Sequence, residues 1–315
     1  LHMPHGTSLR MGRLGYQSEA QASLSVSYNS LESYAASLHD ALIRPYAPYK
    51  KIGIRNLGGD YNQLATTLLQ IENEFYGTIR PKRVIFPGER PLHALRDRGV
   101  EYVEVRCMDL DPFVPVGIRE QTTRFLDVFL LHCLLSDSPR DTPAEIKALG
   151  RNQERTAARG RESGLLLERA GALVPLNVWG RELVGECAPI AEVLDALHGG
   201  TDYRDAVQTA AAGLDEPDGL PSAQVLQAMR GDFDGSYVRF MRDRSEQTRR
   251  TLMALPYGED IETEYRRLAA ESIAKQQAIE ATDSLPFEAF RQQYLSPDRL
   301  KVRRPEPQLA AAAQR

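Results

Sequence analysis

Cysteine is scarce in this 315-residue chain: Cys107, Cys133 and Cys187 are widely spaced, odd in number and free of any CxxC pattern. Neither a disulfide framework nor a cysteine-based zinc site follows from them, and a reducing, cytoplasmic setting is expected. A basic excess is missing as well. With a formal net charge of −4 the chain does not read as a general nucleic-acid binder, which would carry surplus Lys and Arg. Long hydrophobic runs are absent: the most apolar stretch, 125–135, is broken by Asp127 and His132 and is too short to cross a bilayer. No signal peptide, membrane span or internal repeat is visible. The chain also lacks an initiator Met and opens at Leu1 directly into L-H-M-P-H-G-T-S-L-R-M-G. That start reads as the middle of a structured domain, so the expectation is a fragment without its N-terminal part. What is present, 42% hydrophobic and 26% charged residues, is the composition of a globular protein large enough for a real core.

The most informative stretch is 100–106, V-E-Y-V-E-V-R, which alternates strictly. As a strand it places Tyr102, Glu104 and Arg106 on one face and Glu101, Val103 and Val105 on the other. One face then carries a carboxylate beside a guanidinium. A hard oxygen ligand next to a forked anion clamp suits a site that holds a metal and an anion together. The alternative is an ion pair on a solvated sheet face, worth at most about 1 kcal/mol. A second stretch, 70–83, reads Q-I-E-N-E-F-Y-G-T-I-R-P-K-R. If extended, it presents Gln70, Glu72, Glu74 and Tyr76 on one face, followed by the cations Arg80, Lys82 and Arg83. Those cations suit phosphate or carboxylate recognition, or a rim that neutralises Glu72 and Glu74.

The residues 1–16 are rich in Gly, Pro, His and Ser and form a loop or strand edge around Arg10 and Tyr16, shaped for a small polar ligand or simply exposed. His2 and His5 do not rise above a surface-loop reading. A helix starts at Asn29, with Glu32 completing a capping box, and turns Leu31, Tyr34, Leu38 and Leu42 to one side until Pro45. The spans 51–55 and 91–98 read as a strand and a short helix. Asp109 and Asp111 sit in the Pro-rich segment 109–117, where turn chemistry competes with a metal reading. The span 118–135 is a helix whose C-terminal half is apolar and hence buried, with His132 a core histidine. Beyond 136 no convincing strand appears, only helices over 143–160, 181–198, 203–213, 221–230, 234–253, 258–282 and 286–293. Ile261, Tyr265, Leu268 and Ile273 form a core stripe, and Arg151, Arg155 and Arg159 a basic stripe that is either solvated or reaches nucleotide phosphates.

Three motifs, S-L-R-M-G-R-L-G-Y (8–16), L-Q-I-E-N-E-F-Y-G-T-I-R-P-K-R (69–83) and G-V-E-Y-V-E-V-R-C-M-D-L-D-P-F (99–113), closely resemble the proteobacterial glutamate–cysteine ligase family in order and spacing. The likeness continues more loosely to about residue 295 and covers the C-terminal portion of that family. It implies an α+β fold: part of the curved antiparallel sheet of the glutamine synthetase-like carboxylate–amine ligases, which forms a funnel, followed by a mainly helical half. The corresponding division is 1–135 for the catalytic sheet, 136–300 for helices packed on it and 301–315 for a disordered tail. The implied activity is ATP-dependent ligation of the glutamate γ-carboxylate to the cysteine amine through an acyl phosphate, the first step of glutathione synthesis. L-Glutamate, L-cysteine and ATP are the implied partners, with magnesium (or manganese) as cofactor and no nucleic acid or membrane. By residue, the resemblance implies that Glu104 is a metal ligand, that Arg106 acts at the reacting glutamyl or phosphoryl group, and that Arg10, Tyr16 and Tyr76 line the cysteine site. It leaves open a ligase with another amine acceptor and an inactive fragment that serves only as a binding or assembly module.

Overall fold

Helix α1 (Leu31–Ile43) begins where Ser30 accepts a hydrogen bond from the Ser33 amide, in a computed structural model that describes residues 3–300. The cap lies one residue later than the expected Asn29, whose side-chain amide instead donates to Asp141 at 2.8 Å. The serine hydroxyl sits close enough to reach the third residue of the first turn, so it takes the cap. Tyr34, Leu38 and Leu42 are buried on one face, as their spacing predicts. They pack with Leu68, Leu69, Phe75, Leu92, Leu95 and Leu300 in the first hydrophobic centre.

After Pro45 the chain makes a short helix, α2 (Ala47–Ile52), opened by Pro48 near its first position. The strand expected over 51–55 is therefore absent, and Arg55 only bridges to Tyr61. Nor does 70–83 run extended. Glu72–Glu74 forms one 3-10 turn, and strand β1 (Ile79–Lys82) starts after Gly77. A Cβ at Gly77 would lie 2.7 Å from the Phe75 ring and 2.8 Å from the Tyr28 hydroxyl, so the chain can turn there only without a side chain. The carboxylate face expected from Gln70, Glu72, Glu74 and Tyr76 is thus broken up: Glu72 is buried while Tyr76 is exposed.

Helix α3 (Pro91–Arg98) spans the residues expected and leads into strand β2 (Tyr102–Val105). β1 and β2 pair antiparallel with Arg80 opposite Glu104 and Lys82 opposite Tyr102. Helix α4 (Glu120–Leu135) follows. Its apolar end is not buried as expected: Val128 is, but Leu134 and Leu135 are 78% and 74% exposed. Helix α5 (Pro143–Arg159) then runs into a hairpin of β3 (Leu166–Arg169) and β4 (Ala172–Pro175), which the sequence reading did not anticipate. Ala170 and Gly171 both have positive φ, the mark of a tight primed turn, and alanine is an unusual residue there.

The remainder is helical: α6 (Leu176–His198), α7 (Asp202–Asp215), α8 (Pro221–Asp232), α9 (Tyr237–Met253), α10 (Glu259–Thr282), α11 (Phe287–Tyr294) and α12 (Pro297–Leu300). Helices α4, α6 and α7 enclose a second centre around Val128, Cys187, Ala191 and Val207. Helix α10 forms over the expected residues but buries none, and Ile261, Tyr265, Leu268 and Ile273 are exposed rather than a core stripe. Among the described residues no helix is long and apolar enough to cross a membrane. The architecture is α+β, and the described residues form two separate two-stranded antiparallel sheets among many helices. The tail expected to be disordered, 301–315, and His2 lie outside the described residues.

Candidate functional site

Two anchors hold the first loop where its side chains can act. At its start the Thr7 amide donates to the Ala157 carbonyl near the end of α5, while Arg161, almost fully buried, donates to the Pro4 carbonyl at 2.6 Å. Further on, the loop meets the segment leaving β2. Asp109 Oδ1 accepts from the Leu9 and Arg10 amides, each at 2.9 Å, and Asp109 Oδ2 accepts from the Ser8 hydroxyl. Arg10 Nε in turn donates to the Arg106 carbonyl. The chain then folds back on itself, with Tyr16 N donating to the Arg10 carbonyl, and Gly15 passes so near that carbonyl that a Cβ would overlap it.

This brings the five residues singled out from the sequence into one contiguous group. The Tyr16 ring lies 4.8 Å from the Arg10 guanidinium and 4.9 Å from that of Arg106, and it meets the Tyr76 ring edge-on at 4.3 Å. Glu104 and Arg106 turn to the same side of β2, with Arg106 Nε 3.8 Å from Glu104 Oε1. Tyr76 is set from below: its amide donates to Gln21 Oε1, and the buried Arg80 donates to the Asn73 and Phe75 carbonyls just before it. The result is a polar, aromatic-lined surface with two guanidinium groups close to one ring.

The electrostatics favour anions. Burial pushes the Glu104 carboxyl up, but the neighbouring ammonium of Lys82 and the charges of Arg106 and Arg80 outweigh it and leave the group below the usual carboxylate range. Lys82 Nζ stands 3.1 Å from Glu104 Oε2, yet that oxygen is buried without a hydrogen-bond partner of good geometry. A buried, ionised and under-coordinated carboxylate oxygen fits a hard divalent cation as one of its ligands. Among the described residues no group of three or more His, Cys, Asp or Glu side chains could complete such a site. Glu104 can therefore supply one vertex of a shared metal site.

The cations following Tyr76 do other work than the sequence implied. Arg80 is structural, Lys82 faces Glu104, and Arg83 pairs with Glu101 at 3.7 Å, so none of them neutralises Glu72 or Glu74. Glu72 instead forms a buried forked pair with Arg90, at 2.9 and 2.7 Å. The basic stripe on α5 lies on a solvated face, where Arg151 and Arg155 pair with Glu168 of β3 and Arg159 pairs with Glu162. Asp111 accepts from Arg119 at 2.6 Å and from the Phe113 amide, the turn chemistry that competed with a metal role. His132 is only partly buried and stands 3.3 Å from Glu186. Gln21 touches the site and was missed, and Asp109 and Lys82, noted in the sequence for other roles, touch it through the first loop and Glu104. Their partners lie in distant sequence, and no spacing rule ties Asp109 to Arg10 across 99 positions.

Comparison with known proteins concerns the chain as a whole. A family model described as glutamate-cysteine ligase matches residues 1–156. The glutamate–cysteine ligase of Pseudomonas entomophila is 43% identical over 290 residues, 92% of this chain and 54% of that protein. That of a Janthinobacterium species is 45% identical over 294 residues, covering 93% and 55% of the two chains. The chain thus spans about half the length of the curated relatives it matches. A crystal structure of glutamate–cysteine ligase from Francisella tularensis in complex with AMP superposes with a TM-score of 0.85 at 33% identity, over 92% of this chain and 57% of that one. A bifunctional glutathione synthetase from Pasteurella multocida shares the fold more distantly, with a TM-score of 0.52 at 20% identity over 78% of this chain and 26% of its own.

Proposed function

Because the chain belongs to the glutamate–cysteine ligase family, we propose that it carries part of the active site of an ATP-dependent carbon–nitrogen ligase joining the glutamate γ-carboxylate to the cysteine amine. The observation that supports this reading is the convergence of Arg10, Tyr16, Tyr76, Glu104 and Arg106 around one aromatic ring. In the proposed arrangement β1 and β2 belong to the floor of a curved, funnel-shaped antiparallel sheet. Residues 136–300 form the helical layer packed on it, and the remaining metal carboxylates come from outside the described residues. The reducing cytoplasm is the proposed setting, in keeping with three free cysteines.

A carboxylate is a poor electrophile, so amide formation needs activation. A γ-carboxylate oxygen of glutamate attacks the terminal phosphorus of ATP and ADP leaves. The cysteine amine then attacks the acyl carbon, phosphate departs and the amine loses a proton. Phosphoryl transfer asks little covalent work of the protein, and positioning with charge neutralisation carries the rate. Glu104 would be one of the residues that hold magnesium (or manganese), which when bound would supply charge neutralisation between triphosphate and carboxylate. Arg106, on the same strand face, is aimed at the equatorial oxygens of the transferring group. Arg10 forks onto the α-carboxylate of the acceptor, and Tyr16 and Tyr76 wall the pocket of its short side chain.

The proposed pocket walls are aromatic faces, and a thiol and a methyl group are close in size, so its preference between them should be modest. A difference of that size is worth about 1–3 kcal/mol. The test is ATP-dependent phosphate release by the protein expressed from its full coding sequence, with L-glutamate and either L-cysteine or α-aminobutyrate. L-Cysteine as the best acceptor with measurable leakage to α-aminobutyrate is the expected result. Another amine as the clearly better acceptor would overturn the assignment of substrate, and absolute selectivity for cysteine would overturn the pocket.

A further inference from the structure

We propose that Asp109 is a positioning residue that aims Arg10 at the acceptor carboxylate, an inference that rests on the acceptor-binding role of Arg10 set out above. Arg10 sits on a loop outside any helix or strand, so its direction must be imposed from elsewhere. Asp109 imposes it. One carboxylate oxygen accepts from the consecutive Leu9 and Arg10 amides at 2.9 Å each, and the other accepts from Ser8 Oγ, which itself accepts from the Met11 amide. Four consecutive loop residues are thereby bound, directly or through one hydroxyl, to a single side chain. Asp109 lies three positions beyond Arg106, and the Arg106 carbonyl accepts from Arg10 Nε. The loop bearing the acceptor clamp and the strand bearing Glu104 and Arg106 are therefore joined at two points, one through a side chain and one through a main-chain carbonyl. A carboxylate that accepts several amide hydrogens fixes backbone direction more tightly than any one bond, because tilting the loop strains all of them at once. The clamp keeps the distance between the acceptor amine and the activated carboxylate constant, which is where misplacement by about 1 Å can cost up to ~100-fold in rate.

The substitutions Asp109→Ala, Asp109→Asn and Arg10→Ala, made in the protein expressed from its full coding sequence, separate this from a merely structural role. Steady-state kinetics would be measured with each substrate varied in turn, alongside thermal unfolding. Arg10→Ala should raise the acceptor KM and spare those for ATP and glutamate. Asp109→Ala should reproduce that selective rise, on the order of ten- to a hundredfold. Asp109→Asn keeps an oxygen for both amides and offers Ser8 Oγ an N–H instead of an acceptor, so its acceptor KM should recover to within about threefold of the parent. An unchanged acceptor KM in Asp109→Ala beside a raised one in Arg10→Ala overturns the clamp and leaves the acceptor reading standing. An unchanged acceptor KM in Arg10→Ala overturns the acceptor reading, and the clamp falls with it. Equal loss of all three affinities in Asp109→Ala, or no recovery in Asp109→Asn, overturns positioning in favour of a structural role. Should Asp109→Ala fail to fold, Ser8→Ala carries the test by removing one of the groups held by the carboxylate, and an unchanged acceptor KM there overturns the proposal.

Discussion

Glu104, on β2, and Arg106, one residue past its end, turn to the same side because side chains alternate along an extended chain, and Glu104, close to both Arg106 and Lys82, keeps one buried carboxylate oxygen without a hydrogen-bond partner. If that oxygen holds a divalent cation, Glu104→Ala should abolish turnover, with partial recovery at high magnesium, measured as phosphate release against metal concentration. Arg106 contributes a planar fork, which an ammonium cannot reproduce. Arg106→Lys is therefore expected to depress kcat more than it raises substrate KM values, and a kinetically silent Arg106→Lys would remove its assigned role. The roles in question concern single groups, and the residues that could be named from sequence were those inside long motifs. Lys82 and Asp109 lie inside two of those motifs, but the contacts they make, with Glu104 and with the first loop, were not legible there. Each acts through a contact with a residue distant along the chain, and only folding makes it.

At the level of elements, two ion pairs show how differently the same chemistry behaves with burial. The Glu72–Arg90 pair joins the 3-10 turn to the start of α3, and Arg90 also donates to the Tyr294 carbonyl at the end of α11 and lies over the Tyr294 ring. Both side chains are almost fully buried, so Glu72→Ala strands a charge in the core and should cost about 3–5 kcal/mol, read from the shift in denaturant midpoint. The Glu168 pair with Arg151 and Arg155 is open to water and worth far less. Hydrogen bonding from Arg151, with help from Arg155, holds the Glu168 carboxyl down near about 2, against 4.5 when unfolded. A depressed folded-state value means that the contribution is complete above the unfolded value and is lost as pH falls from 4.5 toward 2. The thermal stability difference between the parent and Glu168→Gln should therefore shrink across that window, and a difference independent of pH would refute the clip. Helix α10 has no buried residue to protect it, and its side chains are held only to one another by pairs such as Arg267 with Glu264 and Glu271. Its amides should exchange with solvent faster than those of α6, which buries Cys187, Ala191 and Asp195.

Across the whole molecule, the candidate site is assembled from three stretches of chain: the first loop, the turn before β1, and β2 with its exit segment. Helix α5 and Arg161 hold the first loop from one side and Asp109 from the other, so the site depends on packing between the helical part and the small sheet. A lone carboxylate holds magnesium poorly, because the ion takes about six oxygen ligands in a near-octahedral shell. The purified 315-residue chain by itself is therefore expected to release no phosphate from ATP with glutamate and cysteine. Turnover by that chain at a rate comparable with the protein from its full coding sequence would show the described residues to be sufficient.

Sequence alone determined the long helices, the face of α1 that enters the core, α3, the alternation of β2 and five residues, Tyr16 among them, that gather into one group. These follow from local periodicity or from long motifs, and neither needs a distant partner to be recognised. It did not determine the 3-10 turn at Glu72–Glu74, the hairpin of β3 and β4, the fate of the cations at 80, 82 and 83, or the exposure of the α10 stripe. Each of those was decided by which surfaces meet in three dimensions. Glu72 is buried against Arg90 in a 3-10 turn where a strand was considered, Glu168 pairs with two of the α5 arginines, and among the described residues Ile261 and Tyr265 stay exposed. A sequence records the residue types that chemistry needs, while charge pairing and burial are settled between residues far apart in the chain.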